Sequence, residues 1–262
     1  MDILSISQLI CRYGNIVAVD GIDFGIKKGE FIGIIGPNGS GKSTILKAIM
    51  KSIKPESGNI YLRGTDTKHL KAKQIAQSIA VVPDETHVSF AFTAFDVVMM
   101  GRMPYLGRFD FETKKDEEIV EECTRRTGTI DLKERFINEL SSGERQRVII
   151  AQALAQEPDI ILLDEPTTHL DINHEVGIFD LLKDLKKKMN LTIIAVLHDL
   201  NIASLYCDRL LLLKEGKLVI EGSPDKVITE ENIGKVYKTD VSVKKHPKFD
   251  TPYVMLLPSS LS

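Results

Sequence analysis

The chain has 262 residues, 34 Lys and Arg against 37 Asp and Glu, a formal net charge of -3, and 43% hydrophobic residues. That length and apolar content suffice for one large α/β domain or two small ones, and the near-balanced charge gives neither a nucleic-acid footprint nor a polybasic membrane patch. No apolar run approaches the ~20 residues needed to span a bilayer, the N-terminus has no basic region followed by an apolar core, and Cys11, Cys123 and Cys207 lack metal-site spacing. The expectation is a cytosolic chain in a reducing compartment, one that reaches a membrane only through a partner.

Residues 1 to 29 predict an antiparallel β layer, because Ile22, Phe24 and Ile26 alternate with Asp23, Gly25 and Lys27 in the period of a half-buried strand. Tyr13 lies in the polar turn Arg12-Tyr13-Gly14-Asn15, where it is either an aromatic placed to lie flat against an adenine ring or an ordinary surface tyrosine. The apolar run Phe31-Ile32-Gly33-Ile34-Ile35 predicts a buried strand. It feeds Gly36-Pro37-Asn38-Gly39-Ser40-Gly41-Lys42-Ser43, which fits G-x-x-x-x-G-K-[ST] and is followed by Thr44 and an apolar helical segment. Glycines let such a loop curl so that successive N–H groups point at a triphosphate, and the following helix adds the positive end of its dipole. Lys42 is then placed for the β- and γ-phosphates and the Ser43 hydroxyl for Mg²⁺.

Further along, Asn59 to Gly64 predicts an edge strand and Ser78 to Val82 another strand, stopped by Pro83. A small, mostly helical subdomain is expected over about 84–150, with the charged segment Glu112 to Arg126 helical. Its acidic cluster, Asp116-Glu117-Glu118 with Glu121-Glu122, has the pattern of a solvated helix face rather than a metal site. The unbroken apolar runs Ile160 to Leu163 and Thr192 to Leu197 predict strands buried on both faces, joined by a helix carrying Ile178, Leu181, Leu182, Leu185 and Met189. That is a strand, crossover helix, strand unit with a parallel sheet. Arg209 to Leu213 and Lys217 to Ile220 predict a hairpin, and the Lys- and Pro-rich tail from about Val241 has no assignment.

The run Ile160 to Leu163 ends in Asp164-Glu165, placed for an Mg²⁺ shell and for polarising a water, although such a pair also suits a helix cap or a surface turn. His198 follows the next strand, where ligands of parallel sheets gather; a structural histidine is the competing reading. Leu140-Ser141-Ser142-Gly143-Glu144-Arg145-Gln146-Arg147-Val148 offers a hydroxyl and bare N–H groups at the start of a second helix. A second phosphate-facing terminus on a chain that already has one cradle points to a head-to-tail dimer, each ATP lying between one subunit's loop and the other's Ser141 segment.

In order, Gly36 to Thr44, Leu140 to Val148, Ile160 to Pro166 and His198 resemble the ATP-binding cassette (ABC) ATPases, over nearly the whole chain to about residue 240. The resemblance implies an α/β fold: a P-loop NTPase core with a mostly parallel sheet, an N-terminal antiparallel β subdomain and an inserted helical subdomain. It implies one cassette domain over 1–240 followed by a tail over 241–262. ATP and Mg²⁺ are the implied ligands. Tyr13 resembles the adenine-stacking aromatic, Glu165 the catalytic base and His198 the switch histidine at the γ-phosphate. Ser141, Ser142 and Gly143 resemble the signature residues that meet the partner's γ-phosphate, and Asp171, in Thr168-His169-Leu170-Asp171, resembles the D-loop aspartate that communicates across the dimer, so all four would act in trans.

Asp84 stands where the family usually has a glutamine that touches Mg²⁺, so metal contact from a shorter, charged side chain is expected to alter turnover or coupling. Ser142 stands where glycine is usual and Glu144 where glutamine is frequent, milder changes if Ser142 keeps a negative φ. Phe92 to Val98, Gly101 to Arg108 and Pro166 to Ile172 are similar to segments of importers of iron chelates, haem and cobalamin. That implies a homodimer of cassettes on the cytoplasmic face of the membrane, a transmembrane permease and, indirectly, a substrate-binding protein. A soluble cassette ATPase without a permease, as in iron–sulfur cluster assembly, is the alternative; a P-loop kinase would leave the Ser141 segment without a role.

Overall fold

In the computed structural model, which describes residues 2–84, 91–107, 110–168 and 170–257, the alternating N-terminal segment forms β1 (Asp2–Tyr13) and β2 (Ile16–Lys27) in antiparallel register, Ile6 opposite Phe24 and Leu9 opposite Ile22. The fully buried β3 (Phe31–Ile35) runs into the glycine-rich loop and α1 (Lys42–Ile49). β4 (Ser57–Leu62) pairs with β1 on one side and with the two-residue β5 (Thr65–Asp66) on the other. The segment expected at the edge therefore has a short neighbour, which covers only Tyr61 and Leu62.

The chain divides into two compact units, one made of residues 1–70 and 194–262, the other of 71–193. The second unit begins with α2 (Ala72–Ala76) and β6 (Ile79–Val82), then α3 (Ala94–Met99), α4 (Lys114–Thr127) and α5 (Ser142–Ala155). α3, α4 and α5 start with capping boxes, from Thr93 with Asp96, Thr113 with Asp116, and Ser141 with Glu144, each satisfying N–H groups that helix geometry leaves without partners. β7 (Ile160–Asp164) lies parallel to β6 in the register Val82 to Leu163, so Asp84 and Asp164 leave the sheet from the same strand ends. α6 (Ile172–Met189) follows, with Lys186, Lys187 and Lys188 in its last turn, where the helix dipole favours cations. β8 (Thr192–Val196) contains the boundary between the units.

The acidic cluster on α4 corrects the sequence expectation at one position. Asp116 is 6% exposed and accepts from Arg102 Nε at 2.9 Å, while Arg102, 4% exposed, also donates through Nη1 to Ala155 O at 2.7 Å and Glu157 Oε2 at 2.8 Å. Periodicity sorts faces but not cap positions. Asp116 is the third residue of the helix and turns back to its cap, accepting from Thr113 N at 2.9 Å, within reach of a buried cation. Glu117, Glu118 and Glu122 are exposed, as a solvated face requires.

In the first unit the chain resumes as α7 (Leu200–Tyr206) and the hairpin β9 (Arg209–Lys214) and β10 (Lys217–Gly222), with β9 parallel to β3. α8 (Pro224–Val227) and α9 (Glu230–Tyr237) lead to a second antiparallel hairpin, β11 (Val241–Lys245) and β12 (Pro252–Leu256). This hairpin is the tail that had no assignment. It folds back on α7, where Ser204 Oγ donates to Pro252 O at 2.6 Å and Val254 N donates to Asn201 Oδ1 at 2.7 Å.

Candidate active site

The cradle is built by β3, its glycines and α1. Gly36 has φ 150, and a Cβ there would lie 2.3 Å from Leu213 O; Gly41 has φ 99, and a Cβ there would lie 2.3 Å from Ala18 O. Both positions therefore exclude any side chain, which keeps the loop backbone packed against β9 and β2 with its inner face bare. Lys42 is only 6% exposed, and its ammonium donates to Gly36 O at 2.9 Å and Pro37 O at 3.1 Å, straddling the loop. A cation held over a ring of peptide groups fits a polyphosphate, whose oxygens are stronger acceptors than the carbonyls it now holds. Ser40 Oγ is buried without a hydrogen-bond partner beneath the same loop. Pro37, Asn38 and Gly39 are progressively more open, Ser43 and Thr44 are half-buried on the first turn of α1, and Tyr13 ends β1 with 45% exposure.

His198 belongs to the same unit. Leu197 N donates to Ile34 O at 3.1 Å, so the exposed His198 leaves the sheet at the end of β3 that delivers the loop. On the flank of the loop away from α1, a cavity of about 250 Å³ is lined by Pro37 to Ser40 and by Val236, Tyr237 and Lys238 at the end of α9. Burial pushes the Tyr237 phenol up to about 12.

The other candidates lie in the second unit. Asp164 ends β7 half-buried, and the next residue, Glu165, takes the left-handed conformation with φ 51; Thr168 Oγ1 donates to its carbonyl at 3.0 Å. Asp84 is exposed in the bend after β6. Residues 85–90 and the positions Arg108 and His169, quoted with their motifs above, lie outside the described residues.

Ser141 caps α5. Its N–H and Oγ donate to Glu144 Oε2 at 2.9 and 2.8 Å, and Glu144 N donates back to Ser141 Oγ at 3.3 Å. These bonds, the backbone one first, hold the Glu144 carboxyl below its ordinary value. Ser142 opens the helix in ordinary helical backbone and is absent from the positive-φ residues, so serine costs nothing there. Gly143 is buried. Asp171 caps α6, accepting on Oδ1 from His174 N at 2.9 Å and facing His174 Nδ1 at 2.9 Å. The His174 amide first, and then its ring, hold the Asp171 carboxyl below the usual range.

Sequence reasoning missed Arg102 as a buried cation, because its partners are remote along the chain, and it missed His174. The residue sits one turn inside α6 with a polar type that suits any exposed helix, and only its neighbours give it meaning.

A glycine cradle under a captive lysine, with a carboxylate pair at a strand end of the other unit, defines a P-loop ATPase. The description "ABC transporter" fits the family model that matches residues 19–168. One relative, the probable siderophore transport ATP-binding protein YusV of Bacillus subtilis, is 40% identical over 96% of this chain and 92% of its own length. The ABC transporter ATP-binding protein YvrA of the same organism is 41% identical, and the chain spans 56% of its length. Among solved structures, an inward-facing ABC transporter assigned to the metal-chelate type is 27% identical with a TM-score of 0.88, covering 100% of this chain and 99% of that one. The chain belongs to the ABC transporter family, as its ATP-hydrolysing cassette, with the ABC cassette form of the P-loop NTPase fold.

Proposed function

We propose that this cassette powers an importer of an iron chelate, with haem or cobalamin as the other cargoes of that group, through a separate permease on whose cytoplasmic side it sits. The siderophore and metal-chelate relatives support the cargo class. One observation carries the mechanism: Ser141 and Asp171 cap helices of one unit, while the phosphate cradle with Lys42 belongs to the other. One cradle and a second capped helix start on the same chain suit a head-to-tail dimer in which each ATP meets one chain's Gly36 to Thr44 and its partner's Ser141 to Gly143.

In that arrangement Tyr13 stacks on adenine, the N–H groups of Gly39 to Thr44 hold the phosphates, and Lys42 balances the charge of the β- and γ-phosphoryl groups. Mg²⁺, for which Ser43, Asp164 and Asp84 are the candidate contacts, neutralises charge on the phosphate oxygens when bound; it keeps waters and needs few protein ligands. Glu165 accepts a proton from water as the water oxygen bonds to the γ-phosphorus and the bond from that phosphorus to the β–γ bridging oxygen breaks. ADP and inorganic phosphate leave. His198 donates to the γ-phosphoryl oxygens, and the dimer closes on ATP and reopens after hydrolysis, which is the stroke a permease can use.

The test is ATP-dependent dimerisation of the full chain. Glu165→Gln is expected to trap a dimer with ATP, and adding Ser141→Arg is expected to abolish it; monomers throughout would overturn the sandwich. For the importer, a strongly hydrophobic subunit is expected to co-purify from membranes, and exclusive recovery with soluble partners would remove the transport reading.

A further inference from the structure

The half-site offered to the partner consists of Ser141, Gly143 and Asp171, and one side chain touches two of these residues while sitting beside the cap of the third. A Cβ built on Gly143 would lie 2.2 Å from His174 Cδ2, 2.7 Å from Cγ and 2.9 Å from Nε2, so the imidazole lies directly against the bare Cα of Gly143. The same ring meets Asp171 Oδ1 through Nδ1 at 2.9 Å, while the His174 backbone N–H donates to that oxygen at 2.9 Å. The Glu144 carboxylate, which receives the Ser141 hydroxyl at 2.8 Å, has His174 nearby and lies 3.7 Å from Arg135 Nη1. All of these residues belong to the second unit.

We propose that His174 is a positioning residue, its ring tying the Asp171 carboxylate to the Gly143 backbone so that both reach the partner's nucleotide as one body. The inference rests on the sandwich reading. Two observations separate this role from ordinary packing. The ring is only half-covered, so its burial contributes little to stability. The contact with Gly143 also joins residues 31 positions apart, from the start of α5 to the start of α6, which a helix cap alone does not require. With the ring gone, Asp171 keeps only backbone donors, and the glycine loses the surface that fixes its distance from the aspartate.

The amide of asparagine can place a donor where Nδ1 stands, whereas that of glutamine is one methylene further out. In the full-length Glu165→Gln background, His174→Gln is therefore expected to raise the protein concentration for half-maximal ATP-driven dimerisation by about tenfold, the size of one charge-assisted hydrogen bond. His174→Asn is expected to stay within about twofold. With Glu165 intact, His174→Gln should raise the half-saturating ATP concentration more than it lowers kcat, with melting temperatures matched among all variants. If the His174→Gln dimer is as tight as its parent, or if Asn and Gln weaken it equally, the positioning role is wrong. If the Glu165→Gln parent itself fails to dimerise with ATP, the sandwich reading falls first and takes this inference with it.

Discussion

At the scale of single residues, the buried Arg102–Asp116 pair makes stability depend on acid. The Thr113 hydroxyl and amide, then Arg102, hold the Asp116 carboxyl down at about 2. A carboxylate with a depressed folded value stabilises the protein above the ordinary aspartate range, and that stability disappears as pH falls towards the folded value. The loss between about pH 4 and pH 2 is expected to be about 2 kcal/mol. Urea titrations at a series of pH values should show this slope in the wild type and a flatter one in Asp116→Asn, which leaves the buried Arg102 with Glu157 as its remaining carboxylate partner. At Asp84 the expectation is chemical rather than structural: Asp84→Gln restores a neutral amide and should change the ATPase rate severalfold, whereas equal rates would remove Asp84 from the metal's surroundings. The loop between β3 and α1 stood out in the sequence, because G-x-x-x-x-G-K-S has few other uses, whereas Asp164-Glu165 also suited a helix cap or a surface turn and gained meaning only beside the other motifs. His174 and Arg102 did not stand out, since a histidine on a helix and an arginine at the end of a 3₁₀ turn acquire roles only from residues brought beside them by folding.

At the scale of elements, the loop between β3 and α1 is held by close backbone approach rather than by side chains. Gly41→Ala would push a methyl to 2.3 Å from Ala18 O at φ 99, where a side chain is strained in any case. Nucleotide binding is expected to fall by at least tenfold, together with a loss of roughly 2 kcal/mol in stability, read by isothermal titration and chemical unfolding. Gly143→Ala makes a contrasting case, because the atoms in its way belong to the His174 side chain, which can move. Strands β3, β7 and β8 were visible in advance as unbroken apolar runs, and α4 as a charged helical segment. β11 and β12 were not: β11 ends in two lysines, β12 opens on a proline, and β12 is bonded to α7, about 50 residues earlier.

At the scale of the molecule, the two compact units hold different halves of the proposed chemistry, the cradle and His198 in one, Glu165 and the Ser141 cap in the other. A sandwich built from two such chains predicts complementation. Lys42→Ala and Ser141→Arg chains should each be inactive alone, yet a mixture should recover activity, because a mixed dimer joins the intact cradle of the second chain to the intact signature of the first. ATPase assays on titrated mixtures read this directly, and activity that stays at the level of either variant would mean that each chain completes its own site. In the sequence the expectation of a sandwich rests on one cradle and a second helix start of similar type.

The left-handed backbone at Glu165 has a consequence for how this protein can evolve. A glutamate at φ 51 carries a penalty of roughly 1 kcal/mol that glycine would not carry. Glu165→Gly should therefore melt no lower than the wild type in thermal unfolding, while losing hydrolysis. If Glu165 is the base proposed above, a sturdier fold and turnover pull in opposite directions at this position.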